Sequence, residues 1–142
     1  MTDDLNTPII DEVRANHGVV GGHFKDKRLV LLHTLGHRSG KHRVIPLVAA
    51  TDDNGDLLVA ASNGGATKEP VWVANLDAMV GCTKIEVGDE IQLVEFTVIR
   101  ATDAEWARVY GIWATYWPAS KEYEARTERK FPIVRLHRIE KA

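Results

Sequence analysis

The chain has 142 residues, 44% of them hydrophobic and 27% charged, enough for one domain with a self-sufficient core. A formal net charge of -2 argues against general nucleic-acid binding, which usually shows as a basic domain. A lone cysteine, Cys82, permits no internal disulfide, and MTDDLNTPII at the start is neither a signal peptide nor a membrane helix, so a cytoplasmic protein without membrane association is expected.

Thr7-Pro8 reads as an N-cap followed by proline at the first helical position. Ile9, Ile10 and Val13 give a narrow apolar stripe, so a short helix to about Asn16 is expected, docked on the rest of the fold. Gly18, Gly21 and Gly22 end it. Leu29-Val30-Leu31-Leu32 is an apolar run of strand length, within a strand from about Arg28 to Leu35. A second strand follows from about Arg43 to Ala50, with Pro46 marking an edge or a bulge. The turn between them carries Arg38, Lys41 and Arg43, together with His37, His42, Ser39 and Gly40.

A hairpin needs only turn chemistry, and three permanent cations in one turn repel each other. Two readings stand: a solvated basic turn, or an anion clamp in which arginine forks grip oxygens two at a time.

Asp53-Asn54-Gly55 is a hairpin signal leading to a third strand, Asp56 to Ser62. In Ser62-Asn63-Gly64-Gly65, adjacent glycines can turn backbone N–H groups toward an anion, although Asn-Gly-Gly is also an ordinary turn. Pro70 opens a helix to about Met79, with Trp72 and Asn75 on one face. Either Trp72 anchors the core and Asn75 meets solvent, or both face a ligand. Thr83–Val87 alternates as a strand, Gly88-Asp89 turns, and a long, curved strand covers Glu90 to Arg100. Thr102-Asp103-Ala104-Glu105 spells a capping box for a helix to about Tyr116, whose stripe Trp106, Val109, Tyr110 and Trp113 reads as core. Trp117-Pro118 breaks it. A short helix from Ser120 to Arg126 carries Tyr123, and Ile133–Ile139 is a final strand.

Tight hairpins and about six strands, with helices after the third and fifth, predict a mainly β (α+β) antiparallel fold closed as a small or split β-barrel with three to four helices. One domain covers residues 1–142: an N-terminal helix and connection over 1–27 and the barrel core over 28–139. The six histidines show no metal spacing, and no metal site is expected. No nucleophile elbow, dinucleotide fingerprint or phosphate loop is present, so hard chemistry would belong to a bound cofactor.

Four segments together resemble the deazaflavin-dependent nitroreductase family: Leu35 to Arg43 with Pro46-Leu47, Ala60 to Gly65, Pro70 to Leu76, and the ending Tyr123-x-x-Arg126-Thr127-x-Arg129-x-x-Pro132-Ile133-Val134. They run in the family's order over roughly residues 28 to 139. The resemblance implies an FMN-binding-like split β-barrel that uses reduced coenzyme F420, an 8-hydroxy-5-deazaflavin with a phosphate and an oligoglutamate tail. It implies hydride transfer to a small electron acceptor: a quinone, an activated alkene or a nitro compound.

By the same resemblance Arg38, Ser39, Lys41 and Arg43 meet the anionic tail. Pro46, Val48 and Ala61 face the flat ring, Ser62 and Asn63 meet its polar edge, and Trp72 and Asn75 lie beside it. Tyr123 is the candidate catalytic phenol. Where nitro-reducing members carry tyrosines, this chain has Val48 and, in the C-terminal segment, Trp117 and Ser120; Tyr123 is the matching phenol that remains. A non-catalytic deazaflavin carrier and an FMN-binding split-barrel protein share the architecture and stay open as alternatives. Barrels of this size occur as monomers or homodimers.

Overall fold

The computed structural model describes residues 6–21, 24 and 27–141; Gly22 of the expected connection and the first five residues lie outside these. Seven strands form one sheet: β1 (Leu29–Leu35), β2 (His42–Val48), β3 (Ala50–Thr51), β4 (Leu57–Ala60), β5 (Cys82–Val87), β6 (Glu90–Ile99) and β7 (Ile133–Lys141). Their order is β2-β1-β5-β6-β7-β4-β3, and every neighbouring pair is antiparallel. Four α-helices accompany them: α1 (Thr7–Ala15), α2 (Val71–Asp77), α3 (Trp106–Tyr116) and α4 (Ser120–Arg126). The sheet curls until β2 and β4, far apart in strand order, lie side by side without pairing. That unpaired seam makes the barrel a split one.

Both faces of the sheet are covered, which is why β1 is apolar in consecutive positions rather than alternating. Val30 and Leu32 point into a cluster with Val59, Ile85 and Val134, closed by Trp72, Val73 and Leu76 of α2. Leu29 and Leu31 point the other way, toward Val13 of α1 and Val109 and Trp113 of α3. Pro46 sits on β2, whose sole partner in the sheet is β1. An edge strand tolerates the missing N–H. A register shift between Leu93 and Val94 bends the long β6.

Three expectations change. The cap of α1 is Asn6, so Thr7 is the first helical residue and Pro8 the second, where proline's missing N–H still costs nothing. The expected strand from Arg43 to Ala50 is broken at Ala49, whose N–H donates to the Arg28 carbonyl at 3.0 Å. The chain there crosses the seam, from β2 to the short β3, and the strand count becomes seven. The capping box at Thr102–Glu105 does not form, and α3 starts at Trp106. Asp103 instead accepts the Arg100 N–H at 2.7 Å, and Glu105 pairs with Arg135 at 2.6 Å. Tertiary charge pairing outcompetes the local cap.

α1 is tied to the sheet by a polar chain as well as by Val13. Arg14 donates to both Glu86 oxygens, at 3.0 and 2.7 Å. His33 Nε2 lies 2.7 Å from Glu86 and His33 Nδ1 2.7 Å from His42 Nε2. The Arg14 guanidinium holds the Glu86 carboxyl below the usual carboxylate range. Burial lowers the titration of His33. A depressed carboxylate stabilises above its unfolded value and loses that effect as pH falls through the folded one. Glu86→Gln is therefore expected to cost about 1–3 kcal/mol at pH 7. Thermal melts of parent and variant should converge as pH drops below the carboxylate range. A constant gap down to pH 3 would show that Glu86 acts by packing alone.

Candidate active site

The seam opens into a cleft of about 880 Å³. Its rim on one side is the turn joining β1 to β2. The Gly36 N–H donates to the Lys41 carbonyl and the Gly40 N–H to the Gly36 carbonyl, each at 2.8 Å. A side chain at position 36 would put its Cβ 2.6 Å from Ser39 Oγ, and Gly40 has a φ of +70° that favours glycine. The tight turn carries His37, Arg38 and Ser39 onto the cleft, with Arg43 following on β2. Ser39 Oγ accepts the Lys41 N–H at 3.1 Å, which leaves the Ser39 hydroxyl hydrogen free to point elsewhere.

The floor is apolar. Pro46 and Val48 of β2 face Ala60 of β4 across the seam, and behind them stand Trp113 and Trp117. Phe24 stacks on Trp117 with ring centroids 5.6 Å apart. Trp113 is buried, and its indole N–H has no hydrogen-bond partner among the described residues.

The far wall is the loop after β4, with α2 and α4. Ser62 and Asn63 line the cleft, as do Lys68, Trp72, Asn75 and Tyr123. A 3-10 turn over Asn63–Gly65 shapes the loop. Its Gly65 and Ala66 N–H groups donate back to Ser62 and Asn63 carbonyls at 2.9 and 3.1 Å, so those two amides hold the turn and do not form the anion nest that the glycines suggested. Gly65 has a φ of +85°, and a Cβ there would lie 2.7 Å from the Tyr123 carbonyl oxygen. Glycine thus lets α4 rest directly on the loop. α4 is itself held to α3: the Tyr110 hydroxyl donates to Glu124, and Ser120 Oγ donates to the Ala114 carbonyl at 3.2 Å.

Arg129 fastens this wall from behind. Its guanidinium donates to the carbonyls of Ala61 at 3.0 Å, Ser62 at 3.0 Å and Ala66 at 3.2 and 3.1 Å. Burial lowers its titration from the ordinary guanidinium value. Three carbonyls from one short loop converge on one side chain, and a guanidinium has the donors to satisfy all of them.

Of the residues singled out from sequence, Arg38, Ser39, Arg43, Pro46, Val48, Ser62, Asn63, Trp72, Asn75 and Tyr123 all line this one cleft. Lys41 and Ala61 do not. Lys41 is exposed and is not among the residues that line the cleft. Ala61 is fully buried in the cluster under α2, and Ala60 takes the place on the cleft. Asn75 is neither a solvent residue nor a free ligand group. It is 4% exposed, and its oxygen accepts from His37 through both the backbone N–H, at 3.0 Å, and ring Nδ1, at 2.7 Å.

His37, Lys68 and Arg129 carry parts of the site that sequence reasoning did not assign. His37 and Lys68 stand beside assigned residues, but Arg129 acts across 63 to 68 positions of chain, which leaves no local trace. Charge on the cleft is lopsided. Arg38, Arg43 and Lys68 face it, and the acid nearby, Glu69, is paired with Arg100 at 2.9 Å.

The family model for F420H(2)-dependent quinone reductases matches residues 8–138. The chain belongs to the F420H(2)-dependent quinone reductase family. An F420H(2)-dependent quinone reductase of Mycobacterium tuberculosis H37Rv is 33% identical over 111 residues, spanning 77% of this chain and 72% of its own. A solved F420-H2 dependent reductase, FDR-A, is 28% identical with a TM-score of 0.65, covering 82% of this chain and all of that one. A protein described as a domain-swapped dimer is 27% identical with a TM-score of 0.66, over 92% of this chain and 93% of its own.

This chain is accordingly an F420-dependent reductase with a split-barrel fold. The cleft suits that coenzyme: cations on the rim for acidic groups and an apolar floor for a flat ring. Arg129→Ala should weaken F420 binding at least about tenfold in a fluorescence titration, since several charge-assisted bonds at about 1.5–3 kcal/mol each hold the Ser62–Ala66 wall. Added guanidinium should restore part of it. Unchanged affinity would mean that the loop holds its shape without Arg129.

Proposed function

We propose that this chain catalyses hydride transfer from reduced F420 to a small electrophile, with a quinone as the first candidate and activated alkenes or nitro compounds after it. The observation that carries this reading is the meeting, in one cleft, of a cationic turn and an aromatic-walled apolar floor. A carrier or a plain FMN protein needs neither the surplus of rim charge nor a phenol on the cleft wall.

When bound, the reduced coenzyme supplies the hydride. Arg38 and Arg43 hold its acidic tail as charge-assisted donors. Pro46, Val48 and Ala60 offer a flat contact for a ring, and Trp72 closes the side below α2. Ser62 and Asn63 present hydroxyl and amide groups to polar ring edges. Trp113 and Trp117 exclude water and leave a planar acceptor an aromatic surface. Holding donor and acceptor in one dry pocket contributes much of the rate in such a transfer.

Tyr123 supplies the proton. Hydride addition leaves negative charge on the acceptor, and a phenol ordinarily stays protonated at neutral pH. Trp117 Nε1 donates toward the Tyr123 oxygen at 3.4 Å. That contact occupies an oxygen lone pair and leaves the O–H to point into the cleft. By the family resemblance Val48, Trp117 and Ser120 stand where nitro-reducing members carry tyrosines, and a single phenol favours an acceptor that needs one protonation site at a time.

Calorimetric titration should show tight binding of F420 and much weaker binding of FMN. The F420 affinity should fall as salt rises, because exposed charges are screened over about 10 Å at 0.1 M. Equal affinity for the two flavins would remove the specificity claim. Arg43→Ala should weaken F420 binding by about 10-fold or more with the melting temperature nearly unchanged. Tyr123→Phe should cut turnover of a soluble quinone by roughly 10²-fold with coenzyme affinity intact. Turnover equal to the parent's would give Tyr123 a packing role only.

A further inference from the structure

We propose that His37 is a proton-linked contact for an acidic oxygen of the bound coenzyme, its ring locked by Asn75 so that it must take up a proton before it can donate. This rests on the reading above that the cleft holds an anionic coenzyme.

The lock follows from donor and acceptor chemistry. The His37 backbone N–H donates to Asn75 Oδ1 at 3.0 Å, and an amide N–H can only donate, so that atom is the carboxamide oxygen. Ring Nδ1 lies 2.7 Å from the same oxygen. Two acceptors would repel at that distance, so Nδ1 carries hydrogen. Asn75 is 4% exposed on the inner side of α2 and cannot swing away. In a neutral His37 the hydrogen is therefore committed to Nδ1, and Nε2 is a bare lone pair. The other neutral tautomer would set the Nδ1 lone pair against Oδ1.

His37 lines the cleft, and Nε2 has no protein partner among the described residues. The charged and titratable groups around the cleft are Arg38 on the same turn, Arg43 on β2, Lys68 and Glu69 before α2, and Tyr123 on α4. Glu69 is engaged by Arg100, as is Asp77 of α2. His42, the nearest other imidazole along the chain, is paired with His33 away from the cleft. Three cations thus draw an anion toward a ring that, when neutral, shows that anion only a lone pair. A proton from solvent turns the same nitrogen into a cationic donor. Imidazole is the side chain whose charge changes near neutral pH. Binding should then take up protons, strengthen as pH falls and weaken as pH rises through the titration of the complex, by at most tenfold per pH unit for one proton.

The test is calorimetric titration of the full chain with oxidised F420 at pH 7 in Pipes and in Tris, whose ionisation enthalpies differ, with affinities compared at pH 6 and 8. The parent should take up a substantial fraction of one proton and lose about 3- to 30-fold in affinity over that range. His37→Gln keeps a donor that needs no proton and retains every other histidine, so the uptake should drop and the affinity flatten. Asn75→Asp should hold the ring protonated before binding, again reducing uptake while preserving affinity at pH 8, which loss of mere structural support would not do. Equal proton uptake in the parent and His37→Gln overturns the His37 role and leaves the functional reading standing. No binding of F420 to the parent overturns both.

Discussion

The constraint on which this molecule turns is the seam that β2 and β4 leave unpaired. Closing a barrel would satisfy every strand edge with hydrogen bonds. Here Pro46 deprives β2 of an N–H, Ala49 bonds back to Arg28 instead of continuing the strand, and β4 stops at Ala60. The two strands still pack side by side, so the gap between them is narrow, apolar at its base and open at its rim. Everything assigned to the site is placed by that gap. The β1–β2 turn overhangs one side, and the loop after β4 overhangs the other.

The two sides are stiffened by different means. The β1–β2 turn is short and internally bonded, with Gly36 and Gly40 taking the conformations that bulkier residues resist. The loop after β4 has little regular structure and leans on distant residues instead. Arg129 ties three of its carbonyls, Gly65 lets α4 lie on it, and Asn63 Nδ2 reaches the Lys68 carbonyl at 3.2 Å. Partly burying an arginine against carbonyls costs less when most of its donors are used, as they are in the four contacts of Arg129. The same contacts set the height of Tyr123 above the floor, because Gly65 packs against the Tyr123 backbone. Loop shape and phenol position are therefore one mechanical unit.

Much of this was legible in the residues. The strands of the first hairpin, helix α4 and the proline at the start of α2 follow from local rules of patterning and proline geometry. Ten of the twelve residues named from motif and resemblance line the cleft, because the relevant turns are short and their register leaves little freedom. Ala61 sits one place past Ala60 at the end of β4, where each step reverses the side chain's direction and moves a group from cleft to core, and Lys41 lies in the β1–β2 turn, where no periodicity fixes its direction. Thr102–Glu105 was read by a local rule that a distant arginine, Arg135, overrode. Asn75 could be given a face of α2 from its spacing, but not its partner His37, which lies 38 positions away.

The chain's charge pattern has a consequence for how the cleft works. With 20 acidic and 18 basic residues, the surface as a whole does not draw in anions, so attraction must come from the few cations near the rim and falls off within about a Debye length. Steering is then local and aimed. A polyanionic ligand is favoured where Arg38, Arg43 and Lys68 converge and is disfavoured elsewhere. On the proposed reading, such an arrangement would orient the ligand, tail to the rim and ring to the floor, before any ring contact forms. The apolar floor can then be unselective about ring substituents and still receive the ring in a single direction. On the proposed reading, an acceptor that lacks the tail would gain nothing from the rim and would meet the aromatic lining of Phe24, Trp117 and Tyr123. On that reading shape and stacking, more than charge, would decide what the cleft reduces.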